Sequence, residues 1–206
     1  NLLYELQLRA RSESADFVQK EMPEAQIFRA HRDIIRFAVK NAPEDGLFLE
    51  FGVATGNTLA EIASTVPNGK TVFGFDSFDG LPEDWSGHVE TGGAFRQKKL
   101  PTVPANVKLI PGLFNKTLPI FTLENREPIS FVHIDCDLYS STATILKNIG
   151  SRFRSGTMIL FDEYFNYPGW KLHEHKAWVE FYRNSGTKFK YIGFTASDGR
   201  VLARVD

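Results

Sequence analysis

The sequence predicts a doubly wound α/β fold, in which a mostly parallel sheet of seven strands carries helices on both faces and ends in an antiparallel hairpin. From about residue 25 to the end, apolar runs of strand length alternate with stretches of helical period. Most of these runs are almost continuously apolar, which is expected of strands covered on both faces. The last two runs are joined by a turn-rich segment that ends in Asp-Gly, which is typical of a hairpin.

The predicted elements follow one another in a regular order. Five strands are predicted at residues 47–52, 71–76, 107–110, 129–135 and 157–162, and the hairpin at residues 189–194 and 200–205. Helices are predicted at residues 25–39, 57–66, 141–153 and 169–184. The first of these helices places Ile27, Ile34 and Phe37 on one face, and it is expected to end just before Pro43.

The length of 206 residues favours one domain, residues 1–206, because a core of this size buries roughly 70% of the surface of the unfolded chain. Within it, residues 1–42 form a predicted N-terminal helical segment. Residues 82–104 have no clear period and are predicted to be a lid loop beside the site. The apolar stretch 2–8 is expected to pack either on its own sheet or on a second copy in a homo-oligomer.

Composition and charge argue against several classes of partner. The chain has 24 basic and 25 acidic residues and no long basic block, which makes duplex nucleic acid an unlikely ligand. No apolar run approaches the roughly 20 residues that a membrane span requires, so no membrane partner is expected. The single cysteine, Cys136, cannot form an internal disulfide; this fits a reducing compartment, and a cytoplasmic location is expected.

A glycine-containing turn follows the first strand. Gly52 and Gly56 allow a tight turn and a close approach of the main chain to a ligand. Ala54 and Leu59 replace the second and third glycines of G-x-G-x-x-G, which disfavours a dinucleotide and hence a nucleotide-binding oxidoreductase. Glu50, at the end of the strand, repels phosphate and attracts the ammonium of an amino-acid group. The alternative is a turn that serves only helix and strand packing.

Acidic residues end three further strands. Asp76 ends the second strand, where an acid can accept hydrogen bonds from two ribose hydroxyls. Asp135 ends the fourth strand, and Asp162 and Glu163 end the fifth, so adjacent strand tips are expected to bring these three carboxylates together. Because such a cluster is costly without a shared cation, all three are predicted Mg²⁺ ligands. Asp137 is interpreted as a helix cap, and the alternative is that all these acids cap helices or pair with basic side chains.

Two histidines separated by one residue, His173 and His175, do not predict a zinc site. On a helix they point about 200° apart and cannot both bind one ion as residues i and i+4 do. One of them is a candidate substrate contact or general base. His133, which alternates with Asp135 on one strand, is the other histidine expected to matter.

Four segments carry a resemblance to a known family. They are EFGVATGNT at 50–58, GFDSFDGLP at 74–82, HIDCDLYSST at 133–142 and DEY at 162–164. In these segments the chain resembles class I S-adenosylmethionine-dependent methyltransferases. More narrowly, it resembles the macrocin O-methyltransferase family, which methylates sugar hydroxyls on natural products.

The resemblance implies a Rossmann-like methyltransferase fold with S-adenosylmethionine as cofactor. The implied cofactor-binding residues are Glu50, Gly52, Val53, Thr55, Gly56, Asn57, Thr58, Asp76, Ser77 and Asp135. Asp135 would be both catalytic base and metal ligand, with Asp162 and Glu163 completing the protein ligands of Mg²⁺. The family commonly has two aspartates where Asp162 and Glu163 stand, so this chain departs from it at the last ligand.

The predicted function is therefore a Mg²⁺-assisted O-methyltransferase that acts on a hydroxyl of a small sugar-bearing or polyhydroxyl acceptor. Because a sulfonium donor is already activated, the protein mainly has to align the hydroxyl oxygen, and Asp135 takes up its proton. The alternative is a domain that kept the fold and cofactor binding but lost the chemistry. Loss of metal dependence with retained cofactor binding would favour that alternative.

Overall fold

The computed structural model describes residues 1–206 as one sheet surrounded by helices. The strands are β1 (Gln26–Phe28), β2 (Leu47–Phe51), β3 (Val72–Asp76), β4 (Val107–Pro111), β5 (Ile129–Ile134), β6 (Phe153–Phe161), β7 (Phe189–Thr195) and β8 (Val201–Val205). The helices are α1 (Leu2–Glu21), α2 (His31–Asn41), α3 (Asn57–Thr65), α4 (Phe114–Glu124), α5 (Tyr139–Ile149) and α6 (Glu174–Ser185). No helix is both long enough and apolar enough to cross a membrane.

The sheet has the strand order β1-β7-β8-β6-β5-β2-β3-β4. All neighbouring strands are parallel except β8, which runs antiparallel to both β6 and β7. From β2 the chain winds outward through β3 and β4, and it then returns to β5 on the other side of β2. The gap between the carboxyl ends of β2 and β5 is therefore the topological switch point, where open α/β sheets bind ligands.

The core has two layers because side chains alternate between the faces of each strand. On one face, Leu49 and Phe51 of β2 pack with Phe121 of α4 and Ile145 of α5. On the other face, Phe48 packs with residues of α2 and α3. Strands β2 and β5 are buried along their whole length, as their continuous apolar sequence predicts.

The predicted fold class is confirmed, with eight strands instead of seven. The additional strand is β1, which pairs in parallel with β7 at the edge of the sheet. The helical spacing of the apolar residues over 25–39 predicts a helix there, which is wrong for residues 26–28. A strand of three residues has too few positions to show a period of two, and only pairing with β7 reveals it.

Several helices begin or end at other residues than predicted. Helix α2 starts at His31 and ends at Asn41, and α5 covers Tyr139–Ile149 instead of 141–153. Helix α6 starts at Glu174, because Trp170–Leu172 form a separate 3-10 turn. No bounds were predicted for helix α4, which fills the gap between β4 and β5, and Pro119 lies inside it. Proline is unfavourable within a helix, so this segment is helical because Leu118 and Phe121 are buried against the sheet.

Helix α1 contacts the rest of the molecule from Gln7 onward, where the Gln7 side chain donates to the Asn166 carbonyl. Ala10 and Ser14 are buried, and Ser14 accepts a hydrogen bond from the main-chain amide of Asn166. The apolar side chains at the start of the helix do not pack on the sheet, since Leu2 is 75% and Tyr4 is 60% exposed. A contact of this stretch with a second copy stays a prediction.

Residues 82–104 form no helix or strand, but their first part is folded on itself. The main-chain amide of Leu81 bonds to the Ala94 carbonyl (3.0 Å), and that of Trp85 bonds to the Glu90 carbonyl (3.1 Å). Trp85 is buried and stacks on His88, with ring centroids 3.7 Å apart. Both rings also contact Tyr167, which attaches this loop to the segment after β6.

The two neighbouring histidines have separate structural roles. His173 precedes α6, and its Nε2 lies 2.7 Å from the main-chain oxygen of Ser86. His175 lies under α1, where its ring contacts Phe17, Tyr164 and Trp170. His175 is therefore a packing residue and not a contact of the cleft. Burial, together with the positive charges of Lys171 and Arg183, lowers its pKa to about 4.

We expect the titration of His175 to lower the stability of the protein as the pH drops from 7 to 5. Its pKa is lowered in the folded protein, so below pH 6.5 the unfolded chain binds a proton that the folded chain does not. This term costs about 1–2 kcal/mol at pH 5. His175→Phe keeps an aromatic ring and removes the titration. The measurement is the free energy of urea unfolding at pH 7 and pH 5; an equal pH effect in both proteins would contradict the assignment.

Candidate functional site

A cavity of about 430 Å³ lies at the carboxyl ends of the central strands. This volume is in the range of small-molecule sites. One wall comes from the residues after β2 and β3, namely Gly52, Ala54, Asp76 and Ser77, and the other from the residues after β5 and β6, namely Asp135, Cys136, Asp137 and Glu163. Residues 112–115, after β4, and Trp85 and Phe95 of the 82–104 loop also line the cavity. The cavity thus occupies the switch point that the topology defines.

Gly52 permits the close approach of β2 and β5 at the bottom of this cavity. The amide of Asp135 donates to the Phe51 carbonyl (2.8 Å), which joins the two strand ends. A Cβ atom at Gly52 would lie 1.6 Å from the main-chain oxygen of Asp135, and the φ of Gly52 is +90°. Any other residue would therefore both clash and be strained. The predicted tight turn depends on this position.

Asp76 fixes the turn from the neighbouring strand. Its Oδ2 accepts hydrogen bonds from the amides of Val53 (2.9 Å) and Ala54 (2.8 Å), and its Oδ1 accepts one from Phe78 (2.7 Å). The carboxylate also lines the cavity. Asp76 thus holds the glycine turn in place at the position that the sequence predicts for ribose binding.

The other predicted cofactor-binding residues differ in their access to the cavity. Gly52, Asp76, Ser77 and Asp135 line it; Glu50, Val53, Thr55, Gly56, Asn57 and Thr58 do not. Pro101 lies against Gly56 and covers this part of the turn. The Glu50 carboxylate is fully buried on the other face of the sheet, where its Oε1 lies 3.0 Å from His133 Nδ1. Strand alternation places Glu50 on the same face as Phe48, so its carboxylate does not line the cavity in which the cofactor is predicted to bind.

Three carboxylates come together on the cavity wall. Oxygen atoms of Asp135, Asp137 and Glu163 all lie within 4.8 Å of one another. Asp137 reaches this position through a left-handed backbone conformation, with a φ of 64°. The amide of Glu163 donates to Glu174 Oε2 (3.2 Å), which ties this residue to the start of α6. No salt bridge to a basic side chain neutralises any of the three.

Burial and mutual repulsion make these carboxylates poor anions in the absence of a cation. Burial, followed by the charge of Asp162, raises the pKa of Asp135 and of Glu163 well above the usual range. The same causes raise the pKa of Asp137 to about 7. Glu163 also has a buried Oε2 with no hydrogen-bond partner. Three carboxyl groups that offer only oxygen donors, one of them with an unsatisfied acceptor, suit a hard divalent ion such as Mg²⁺, which would stabilise their ionised forms.

The third predicted ligand, Asp162, belongs to a different group of charges. Its carboxylate lies 3.2 Å from His133 Nε2, and Arg200 donates from Nη2 to its Oδ2 (2.9 Å). Burial alone would lower the pKa of His133, but the hydrogen bonds that its ring donates to Asp162 and Glu50 raise this pKa to about 10. The structure therefore places Asp137 with Asp135 and Glu163, and Asp162 is held by His133 and Arg200.

The two groups differ in charge balance, and this distinguishes them as cation sites. Glu50 and His133 share a proton and are together neutral, and Asp162 is neutralised by Arg200. His31 lies 3.7 Å from Asp162, so His31, His133 and Asp162 have the spacing of a metal site. The Arg200 guanidinium, however, already neutralises the Asp162 carboxylate there. The cluster of Asp135, Asp137 and Glu163 has no such partner.

From the sequence, Asp137 is interpreted as a helix cap and not as a member of the carboxylate cluster, and nothing indicates that Glu174 and Arg200 belong to this region. Asp137 follows two residues after Asp135, and the spacing could have indicated that both acids face the cavity. Nothing in the local sequence of Glu174 or Arg200 indicates their contacts, since each approaches the site from an element more than ten residues away. Their roles follow only from the packing of α6 and of the C-terminal hairpin.

Solved structures with a similar fold are methyltransferases. The calicheamicin methyltransferase CalS11 is 23% identical, with a TM-score of 0.67 and coverage of 84% of this chain and 76% of that one. The O-methyltransferase NovP is 22% identical, with a TM-score of 0.61 and coverage of 84% and 78%. An O-methyltransferase from Bacillus cereus, solved in complex with SAH, is 17% identical, with a TM-score of 0.55 and coverage of 100% and 91%. The protein therefore has the class I methyltransferase fold.

Residues 49–164, more than half of the chain, match the family described as "Methyltransferase domain". The chain belongs to this family and is a methyltransferase that uses S-adenosylmethionine. The matched region contains the glycine turn, Asp76 and the three clustered carboxylates. Among curated proteins, no sequence matches this one significantly.

We expect a divalent ion to stabilise the protein through the clustered carboxylates. At 100 times its dissociation constant, Mg²⁺ or Mn²⁺ should raise the midpoint of thermal unfolding by about 5–10 °C, because it binds only the folded chain. Glu163→Gln and Asp137→Asn should remove most of this shift. Asp33→Asn, which changes an exposed acid in the first turn of α2, is the matched control and should keep it. Absence of a shift with either ion in the unmodified protein would contradict a cation site.

Proposed function

We propose that this methyltransferase transfers the methyl group of S-adenosylmethionine to a hydroxyl oxygen of a small sugar-bearing or polyhydroxyl acceptor, with the help of Mg²⁺. The observation that carries the proposal is that the cluster of Asp135, Asp137 and Glu163 and the Asp76 carboxylate line the same cavity. In addition, CalS11 is described as a TDP-rhamnose 3'-O-methyltransferase and NovP as an O-methyltransferase. The extension of oxygen-directed chemistry to this chain is part of the proposal.

The cavity provides separate places for the two substrates. Gly52, Asp76 and Ser77 form the wall proposed to hold the cofactor, on the side of β2 and β3. Ser140, Ser141 and Thr144, at the start of α5, line the cavity near the carboxylate cluster. Their hydroxyls suit an acceptor rich in hydroxyl groups. Trp85 and Phe95, from the proposed lid at 82–104, provide apolar surface for the body of such an acceptor.

The proposed chemistry needs alignment and removal of one proton. When bound, S-adenosylmethionine supplies an activated methyl group, and Mg²⁺ supplies a positive charge that acidifies a neighbouring hydroxyl. Asp137 and Glu163 would hold the ion, and Asp135 would share in holding it and accept the proton of the acceptor hydroxyl. The main chain at Gly52 and Asp135 fixes the distance between the two walls, and the loop over the cavity limits access of water.

We expect Asp135→Asn to reduce methyl transfer at least 1,000-fold, because the amide cannot accept the proton and is a weak ligand. Cofactor affinity should change less than about fivefold, since the charge that is removed lies on the opposite wall. The measurement combines a radiolabelled methyl-transfer assay on a panel of glycosides with calorimetric titration of S-adenosylhomocysteine. Asp79→Asn, at an exposed position, is the control. Unchanged turnover in Asp135→Asn would refute the role of the carboxylate.

We expect Asp76→Ala to weaken cofactor affinity by at least tenfold. The substitution removes the proposed acceptor of the ribose hydroxyls and also the carboxylate that accepts from Val53 and Ala54. Calorimetry with S-adenosylhomocysteine measures the effect, and thermal unfolding in the absence of ligand reports any separate loss of stability. An unaltered dissociation constant would argue against Asp76 as a cofactor-binding residue.

A further inference from the structure

The turn of the C-terminal hairpin packs directly on the segment that carries Glu163. The amide of Tyr164 donates to the Gly199 carbonyl (2.9 Å). A Cβ atom at Gly199 would lie 2.7 Å from the main-chain oxygen of Phe165, so no larger residue fits between the two segments. This turn lies outside residues 49–164, the region that matches the family. What the hairpin turn contributes to the site therefore cannot be taken from the family match and has to be argued from the contacts of this chain.

Arg200 extends from this turn into a row of charged side chains across four strands. The row runs from Arg200, just before β8, through Asp162 at the end of β6 and His133 of β5 to Glu50 of β2. Arg200 Nε lies 2.6 Å from Asp162 Oδ1, and its Nη2 donates to Oδ2. Glu50 and His133 are fully buried, and the side chain of Arg200 is only 17% exposed.

Both oxygens of Asp162 are occupied in this row. Oδ1 faces His133 and Arg200, and Oδ2 accepts from Arg200. A paired guanidinium and carboxylate satisfy each other's charge and hydrogen bonds, so Asp162 has no need of a further cation. The next residue, Glu163, points to the other side of the strand end and has a free oxygen.

We propose that Arg200 is a positioning residue that holds Asp162 away from the carboxylate cluster and thereby limits the protein ligands of the ion to Asp135, Asp137 and Glu163. This inference rests on the divalent ion of the proposed function. Without Arg200, the buried Asp162 carboxylate would keep only His133, whose positive charge Glu50 already balances, and would lie beside three other acids. A divalent ion at the cluster is then the nearest available counter-charge, so its affinity should rise.

The test is the Mn²⁺ affinity of purified variants, measured by electron paramagnetic resonance of free Mn²⁺. Asp162→Asn should stay within twofold of the unmodified protein. Arg200→Gln should bind Mn²⁺ about five- to tenfold more tightly, and the double variant of Arg200→Gln with Asp162→Asn should return to the original affinity. Arg204→Gln, an exposed arginine on β8, is the matched control. If Arg200 only stabilised the fold, Arg200→Gln would not bind Mn²⁺ more tightly, and adding Asp162→Asn would not reverse such an increase.

A tenfold loss of Mn²⁺ affinity in Asp162→Asn would overturn the inference, because Asp162 would then be a ligand. Unchanged affinity in folded Arg200→Gln would also overturn it. If Arg200→Gln does not fold, the Mn²⁺ affinities of Asp162→Asn and Arg200→Lys decide between the outcomes. Arg200→Lys keeps the positive charge, so its Mn²⁺ affinity should stay within twofold of that of the unmodified protein. If the unmodified protein binds no Mn²⁺, this inference fails, and the radiolabelled assay still tests methyl transfer to hydroxyl acceptors independently. Mn²⁺ binding without methyl transfer would leave the inference standing and refute the proposed function.

Discussion

The site depends on the close approach of two main chains at the centre of the sheet. Where β2 and β5 end, the amide of Asp135 bonds to the carbonyl of Phe51, and Gly52 has no side chain to keep the strands apart. This contact places the turn after β2 beside the acids after β5. A larger residue at position 52 would separate the two walls of the cavity and move Asp135 relative to the turn.

Charge is distributed unequally on the two faces of the sheet. On the face under α2, acids alternate with basic partners, so Glu50 and Asp162 are each paired within the protein. At the cavity, three acids meet without a basic residue. Since an unpaired buried charge is costly, the first group stabilises the fold and the second is suited to a ligand that brings positive charge. The alternation of side chains along the strands determines whether an acid lies with the paired acids on the α2 face or with the three acids at the cavity.

Much of the fold and part of the site could be predicted from sequence because the relevant signals are local. Continuous apolar runs indicate the central strands, and Gly52 with Asp76 indicates the turn at the switch point. The choice between Asp137 and Asp162 could not be predicted in this way. It depends on a left-handed backbone at Asp137 and on Arg200, which lies 38 residues from Asp162 in the chain. Strand β1 was missed because its partner, β7, is still more distant in sequence, since Gln26 pairs with Gly193.

The loop after β3 has a consequence for how a second substrate enters. Its main chain is closed by its own hydrogen bonds, and Trp85 is wedged between His88 and Tyr167, close to the segment that carries Glu163. The rings of Trp85 and His88 both contact Tyr167, whose hydroxyl donates to the main-chain oxygen of Glu163. A displacement of the loop that moved Tyr167 to admit an acceptor would therefore also act on the main chain that carries one of the three carboxylates.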